Sequence, residues 1–393
     1  MNKLTIITDI PTPYRIFFFT QLYHELLKRN IDLEVIFFAE SVPIRHWKID
    51  VNELVFPCKI ARGIHIYIGS NNFHFNPGIL WNILVNPPRW LLVGGAWNIP
   101  TCFLSVFIMR LFHKHRCSTM LWSEANKYSM THKSGVTAFF RRIVASSVNM
   151  FAVPGEMAID TIINEWGVGN KIFLPLPNLI NEDKFKNTSV LNKNEIILKE
   201  NLNGILNSEN DVILLWPARL DETKKGILNF LNPIKHILSD SRLKIIIAGD
   251  GPDKDRIKHW VTENMPKNVL LIGQRSETEM LELYSIADVL LLPSLSDPNP
   301  LSVIEGLWSS LPLLISKHCG NHIEAVKNNY NGWVIDPHSP DSIKSAIRDL
   351  NDLKKSEFKK YGDNSLLIAK EKFSSGISTK RFVDALLLKN QDY

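Results

Sequence analysis

The stretch Val289-Leu-Leu-Leu-Pro-Ser-Leu-Ser-Asp-Pro-Asn-Pro-Leu-Ser-Val-Ile-Glu305, VLLLPSLSDPNPLSVIE, passes from a short apolar run through a proline-broken loop into an apolar helical pattern. Four large aliphatic residues without alternation suit a strand buried on both faces. If the helix starts near Leu301, the amides of Leu301 and Ser302 lack intrahelical acceptors and Glu305 stands about one turn in. Asp297 lies on the loop before them. By themselves these residues fit two readings. One is an ordinary helix start, where acids complement the macrodipole. The other is a site holding an anion on free amides and a polyol on a fixed carboxylate.

The same unit recurs along the chain. Apolar runs at Leu4–Thr8, Leu33–Ala39, Ile64–Ile68, Leu91–Val93, Thr119–Trp122 and Phe151–Val153 alternate with longer amphipathic segments. After the Pro-rich passage Leu174-Pro-Leu-Pro-Asn-Leu-Ile-Asn181, the pattern restarts. Its runs are Val212–Trp216, Leu243–Ala248, Val269–Ile272, Val289–Leu292, Leu313–Ser316 and Trp333–Ile335. Such alternation predicts two α/β domains, each a parallel sheet with helices on both faces. A chain of 393 residues is long enough for two cores. The cleft between them is the default ligand site, with chemistry on the loops at the strands' carboxyl ends.

Composition is that of a soluble globular protein, 45% hydrophobic and 22% charged, which argues against a disordered chain. Cys58, Cys102, Cys117 and Cys319 are too scattered for a zinc spacing or a disulfide framework, so a reducing cytoplasm is expected. The opening MNKLTIITDIPTP has too short an apolar run for a signal peptide and reads as a first strand. Trp90 to Phe112 is the most membrane-like segment, but Gly94, Gly95, Asn98, Pro100 and Arg110 interrupt it. A strand, turn and buried helix are expected there. The net charge of +5 sits in the first half: residues 1–175 hold 17 basic and 11 acidic side chains, the remainder 28 and 29. That excess fits either an ordinary solvated surface or attraction to an anionic lipid surface or phosphorylated ligand.

Each strand-end loop of the second half is chemically distinctive. Pro217-Ala-Arg-Leu-Asp-Glu-Thr-Lys-Lys-Gly226 sets Arg219 and Lys225 around a turn before a helix, which suits a diphosphate. Gly249-Asp-Gly-Pro252 permits close backbone approach, although taken alone it reads as a turn. Asp253-Lys-Asp255 begins a helix, where acids complement the dipole, so no metal is expected. After Gly273-Gln274-Arg275, Ser276 and Glu279 form a capping box.

Arg219, Lys225-Gly226, GDGP at 249–252, IGQRSETEMLELYSIADVLLLPS at 272–294 and the acidic pair Asp297 and Glu305 occur in an order that resembles the retaining glycosyltransferases of family 4. The resemblance extends over almost the whole chain, through IPTPYR at 10–15, LLVGGAWN at 91–98, LWSEANK at 121–127 and AVPGE at 152–156. It implies a GT-B fold of two facing Rossmann-like domains. The expected divisions are 1–176 for the acceptor side, 177–370 for the donor side, and 371–393 as a C-terminal helix returning to the first domain.

The resemblance also implies roles. Arg219 and Lys225 would bind the donor diphosphate, the Leu301 and Ser302 amides its phosphate oxygens, and Glu305 the ribose. Asn299, Gly249 and Arg275 complete the donor-binding set. Asp297 would contact the transferred sugar, where the family usually has the longer glutamate, and Pro298-Asn299-Pro300 replaces a Gly-rich turn. Pro300 removes an amide donor, so altered hexose contacts are expected. Where many relatives place a sugar-binding histidine, this chain reads Trp122-Ser123-Glu124, so either Glu124, the second candidate catalytic residue, or Ser123 would take its place, unless Glu124 is simply a surface or interface carboxylate. Tyr14 and Arg15 would serve the acceptor.

The implied reaction is hexosyl transfer, with retention, from a nucleotide diphosphate sugar to a glycan or lipid-linked hydroxyl in cell-surface polysaccharide synthesis. Cations and amides would stabilise the leaving diphosphate, so no cofactor and no metal are expected. No nucleic acid partner is implied. The expected location is cytoplasmic, peripheral on the inner face of the membrane. A sugar-nucleotide epimerase and a non-catalytic sugar-nucleotide-binding subunit are the alternatives. No GxGxxG follows a first strand, which argues against a nicotinamide enzyme.

Overall fold

The computed structural model describes residues 2–42, 49–68, 71–130, 133–186, 192–206 and 208–388. It divides into two compact units, residues 1–180 with 375–393, and residues 181–374.

The first unit holds β1 (Lys3–Thr8), β2 (Asp32–Phe37), β3 (Cys58–Ile60), β4 (Ile64–Ile68), β5 (Asn71–Phe75), β6 (Trp90–Val93), β7 (Ser118–Trp122), β8 (Met150–Val153) and β9 (Ile172–Pro175). Seven of these form a sheet in the order β3-β2-β1-β6-β7-β8-β9. Every described pairing in it is parallel. Side chains alternate between its faces, as a pleated strand requires. Leu4, Ile6, Trp90 and Leu92 enter one core with Phe19 and Phe37. Ile7, Leu91 and Val93 enter another with Cys102, Val106 and Val144. Both faces are therefore covered, and the strands read as continuous apolar runs.

Ile64–Ile68 departs from expectation. It pairs antiparallel with β5 in a separate two-stranded hairpin, Ile64 opposite Phe75 and His65 opposite His74. Its alternation, with Ile64, Ile66 and Ile68 exposed, fits a ribbon with one open face. Strands β3 and β9 escape sequence reading because one is three residues long and the other ends in Pro175.

The helix Ser375–Leu388 belongs to the first unit, lying against the helix Pro13–Leu27 and β9. Phe382, Val383 and Leu386 enter its core, and Arg29 bonds Asp384 at 2.6 Å. The final five residues of the expected C-terminal segment, 389–393, lie outside the described residues.

The second unit holds β10 (Val212–Pro217), β11 (Leu243–Ala248), β12 (Val269–Gly273), β13 (Val289–Leu292), β14 (Leu313–Ser316) and β15 (Gly332–Ile335). They form one parallel sheet in the order β12-β11-β10-β13-β14-β15. The chain progresses outward from β10 to β12 on one side and from β13 to β15 on the other. The loops after β10 and β13 thus diverge to opposite faces and leave a crevice at their shared edge. In the first unit β1 and β6 stand in the same relation.

Phe382→Ala should destabilise the first unit by about 3–5 kcal/mol, the cost of an aromatic cavity at a fully buried position. Chemical denaturation followed by tryptophan fluorescence measures the loss, and a change under 1 kcal/mol would contradict the packing described.

Candidate functional site

The crevice between β10 and β13 gathers four of the residues singled out in the sequence. Lys225 ends the short helix Glu222–Lys225, and Gly226 follows in the left-handed region at φ +59°. A Cβ at Gly226 would stand 2.6 Å from Leu295 Cγ, so glycine is required for both its conformation and the approach of the β13 loop. The Ser296 amide donates to Lys224 O at 2.9 Å, and Lys225 Nζ forms an ion pair with Asp297 Oδ2. Both charged side chains are mostly buried, at 18% and 13% exposure, so the pair is not a loose surface contact. Arg219 stands exposed on the same loop.

Glu222 has a role not foreseen from sequence. Its Oε1 accepts from the amides of Leu228 at 2.8 Å and Asn229 at 3.2 Å, capping the helix Ile227–Ser239. Burial nevertheless raises its carboxyl above the ordinary range, those backbone bonds opposing the shift.

Gly249, expected among the donor-binding residues, has a structural part in the fold. Its amide is committed to Gly273 O at 2.8 Å, and an added Cβ would lie 1.9 Å from Ala218 O. At Gly251 the corresponding distance to Leu220 O is 2.4 Å. The missing side chains admit the neighbouring loop's backbone, with Leu220 N donating to Asp250 O at 3.0 Å and Asp253 N to Leu220 O at 3.0 Å. Asp253 also accepts from Glu222 N at 2.8 Å, which gives this acid a part in joining the loops.

Arg275 stands after β12, the edge strand and two positions from β10. Its Nε donates to Glu200 at 2.7 Å and its Nη1 to Gln274 O at 3.1 Å. It is therefore engaged in an edge ion pair and is not gathered with Lys225 and Asp297. The expected capping box is present, Ser276 N donating to Glu279 at 2.7 Å and Glu279 N to Ser276 Oγ at 3.3 Å.

The loop carrying Asp297 is clamped by Lys317–Asn321, a segment the sequence reading passed over. Gly320 N donates to Asp297 O at 3.0 Å, His318 Nδ1 to Leu295 O at 2.8 Å, and Asn321 Nδ2 to Pro300 O at 3.0 Å. A parallel bridge pairs Asp297 with Cys319, whose buried thiol is pushed up by burial and by the Asp297 charge. The available signal was positional: Lys-His-Cys-Gly-Asn follows β14 at the edge where the other loops were weighed.

The helix Leu301–Trp308 begins at the expected residue, with Pro300 at its N-cap and no capping side chain. Its first amides are therefore donors the helix cannot satisfy. Asn299 is buried beside them. One turn in, Glu305 Oε2 accepts from Tyr284 Oη at 2.6 Å. Burial raises the Glu305 carboxyl above its ordinary value, while the tyrosine bond pulls it down.

In the first unit, Arg15 joins the ends of three strands. Its Nη1 donates to Thr8 Oγ1 and, at 3.0 Å, to Gly94 O, and its guanidinium lies 4.6 Å over the Trp122 ring. Its Nε donates to Tyr14 Oη at 3.4 Å. Burial opposes its charge, yet Tyr14, Glu124 and Asp9 hold its pKa raised. Tyr14, Arg15 and Glu124 are thus brought together electrostatically at the carboxyl edge of the first sheet.

Residues 199–365 match the family of glycosyl transferases group 1, in a segment that is under half of the chain. The chain is 29% identical over 177 residues to a UDP-Gal:alpha-D-GlcNAc-diphosphoundecaprenol alpha-1,3-galactosyltransferase of Escherichia coli, covering 44% of this chain and 43% of that protein. It is 25% identical over 246 residues to an alpha-galactosylglucosyldiacylglycerol synthase of Streptococcus pneumoniae, covering 60% and 62%. The chain thus spans about half the length of the curated relatives it matches. Its fold is like that of Anabaena HepE, solved with UDP and glucose, at a TM-score of 0.70, 13% identity and coverage of 98% and 99%. The segment 199–365 belongs to the group 1 glycosyl transferases, and the architecture of two parallel-sheet units with a helical C-terminus is GT-B.

A carboxyl whose folded pKa is raised costs stability when ionised. That cost is full above the folded pKa and vanishes below the unfolded one. Glu305→Gln should therefore raise the melting temperature of the ligand-free protein at pH 7 by about 2–4 °C, equivalent to about 1 kcal/mol. The gain should fade as pH falls through the raised pKa. Calorimetry across pH 4–8 (~1 unit steps) checks this, and a lower melting temperature at pH 7 would refute it.

Proposed function

We propose that this chain, through its group 1 glycosyl transferase domain, transfers a hexosyl group from a nucleotide diphosphate sugar to a hydroxyl of a glycan or lipid-linked acceptor, with retention of configuration. The observation that carries the reading is the Lys225–Asp297 pair beside the open N-terminus of Leu301–Trp308, with Glu305 one turn in.

In this reading Lys225, Arg219 and the Leu301 and Ser302 amides meet the donor diphosphate, and Glu305 accepts hydrogen bonds from the ribose hydroxyls. Asp297 faces the sugar. Without donor, its carboxylate balances Lys225; a diphosphate takes over that role and releases Asp297 for the sugar. As the glycosidic bond breaks, charge grows on the leaving diphosphate, where cation and amide donors are already oriented. These groups perform the neutralising task a divalent metal performs elsewhere, so turnover should survive a chelator.

A lipid-linked acceptor in cell-surface polysaccharide synthesis is supported by the names of two relatives, which specify a diphosphoundecaprenol-linked sugar and a glycosyl diacylglycerol. It is also supported by the surface of the first unit. The helices Pro77–Val85, Pro100–Phe112 and Gly135–Ser147 bury their inner faces in one core. Outward they expose Trp81, Leu111, Phe112, Val136, Phe139 and Phe140, beside exposed Arg110, Lys114 and Arg142. Apolar side chains interleaved with basic ones suit peripheral contact with an anionic bilayer. Among the described residues, no helix is long and apolar enough to cross a membrane.

Thermal-shift screening against UDP-, GDP-, ADP- and dTDP-sugars, followed by product mass and anomeric NMR, tests the reading. Asp297→Asn should lower transfer about 100-fold or more while leaving nucleotide diphosphate affinity equal or tighter, because Lys225 loses its competing carboxylate. Lys225→Ala should weaken both. Absence of sugar transfer with every donor would overturn the proposal, and loss of turnover in EDTA would overturn metal independence.

Vesicles containing phosphatidylglycerol should sediment the protein, and replacing Phe112, Phe139 and Phe140 together by Ser should weaken that binding about tenfold or more. Wild-type protein remaining in the supernatant would exclude peripheral attachment.

A further inference from the structure

A carboxylate and two histidines at the first unit's own switch point have no part in the reaction as described so far. Asp9 follows β1, whose neighbour β6 leads its loop to the other side. His74 Nε2 lies 3.0 Å from Asp9 Oδ1, and His74 Nδ1 lies 2.8 Å from His65 Nδ1. His74 has no exposure, whereas the Asp9 side chain is 34% exposed. Asp9 Oδ1 and His74 Nε2 are both closed to solvent, and neither has a hydrogen-bond partner among the described residues, so the 3.0 Å between them is a close charge contact. The exposed part of the carboxylate is therefore Oδ2.

Two nitrogens 2.8 Å apart need one proton between them. If His74 presents Nε2–H to Asp9, its Nδ1 must accept, and His65 must carry its proton on Nδ1. Burial first, and His74 second, hold His65 below its ordinary pKa. The hairpin fixes the chain because His65 and His74 are directly opposed in its register. Phe38 and Tyr67 lie 5.8 and 6.0 Å from the His74 ring, limiting its rotation.

Resting on the transferase reading, we infer that Asp9 holds the acceptor hydroxyl, accepting its hydrogen bond on Oδ2, and that His74 and His65 are positioning residues that fix this carboxylate. In an open parallel sheet the carboxyl edge between β1 and β6 is where a ligand is bound. Asp9 supplies a hydroxyl acceptor there, and Arg15 a neighbouring cation. The acceptor class is a polyol, most simply a sugar ring. A carboxylate packed at one oxygen against a buried ring keeps the other oriented, which is what positioning a nucleophilic hydroxyl requires. The groups that bear electrostatically on Asp9 are Arg15, Tyr67, Cys102 and His74, and Glu124 acts on Arg15. His65 faces His74.

The test uses the full chain, the donor chosen by thermal shift, and octyl glucoside and octyl galactoside as acceptors, with water as acceptor if neither is used. Asp9→Asn should lower kcat/KM for the acceptor about 10–100-fold and leave donor affinity by calorimetry unchanged. His74→Phe should raise the acceptor KM about 10-fold with donor affinity unchanged. His74→Gln, which keeps an N–H, should restore most of the rate. Asp9→Asn transferring within twofold of wild type overturns the inference while the transferase reading stands. An unchanged acceptor KM in His74→Phe, or no rescue by His74→Gln, overturns the positioning role. Absence of wild-type turnover with every donor removes the transferase reading and the Asp9 role together. Independently of turnover and of variant folding, the histidine ¹⁵N shifts of the wild type should give His74 as the Nε2–H tautomer and His65 as Nδ1–H. Free tautomer exchange at both rings would overturn the relay.

Discussion

Backbone contact between adjacent loops is the constraint on which the second unit's site depends. The β10 and β11 loops approach so closely that Gly249 and Gly251 have no room for a Cβ, and Leu220 exchanges bonds with Asp250 and Asp253. The β10 and β13 loops meet across Gly226, with Ser296 bonded to Lys224. On the far side, His318, Gly320 and Asn321 hold the β13 loop at three points. Parallel strands deliver these loops to one edge, and direct bonds fix them there. Lys225, Asp297 and the first turn of Leu301–Trp308 are therefore in place before any ligand arrives, which is the condition for electrostatic preorganisation.

Charge at that edge is balanced by design of position rather than by number. Lys225 is matched to Asp297 and Arg275 to Glu200, while the buried Glu305 carboxylate accepts from the Tyr284 hydroxyl. A cation satisfied by an internal carboxylate costs little in the ligand-free protein. In the proposed reaction a diphosphate would replace that carboxylate at Lys225 and free Asp297. The destabilised carboxyl of Glu305 is the opposite case, a group that gains by meeting hydroxyl donors.

Much of the second unit was legible because its strands are uninterrupted aliphatic runs covered on both faces. Val289–Leu292 and Leu313–Ser316 have the expected bounds, and Leu301 begins its helix as the proline-broken loop required. The first unit was harder. Cys58–Ile60 is too short for periodicity, and Ile64–Ile68 has a strand's composition without indicating its partner. Gly249 and Arg275 have the residue types of a phosphate site. Their contacts in the fold, admitting a carbonyl and pairing with Glu200, depend on neighbours at distances in sequence that spacing cannot encode.

By itself the sequence determined the α/β class, the two sheets, the order of strand-end loops and the meeting of Lys225, Asp297, Leu301 and Glu305 at one edge. These follow from local periodicity, and a parallel sheet turns periodicity into a common edge. Tertiary structure alone decided which glycines face backbone, which cations are already paired, how Lys317–Asn321 clamps the Asp297 loop, and that His65 and His74 line up behind Asp9. Each of these is a contact between segments whose separation along the chain has no period, so only the folded geometry brings donor and acceptor within reach.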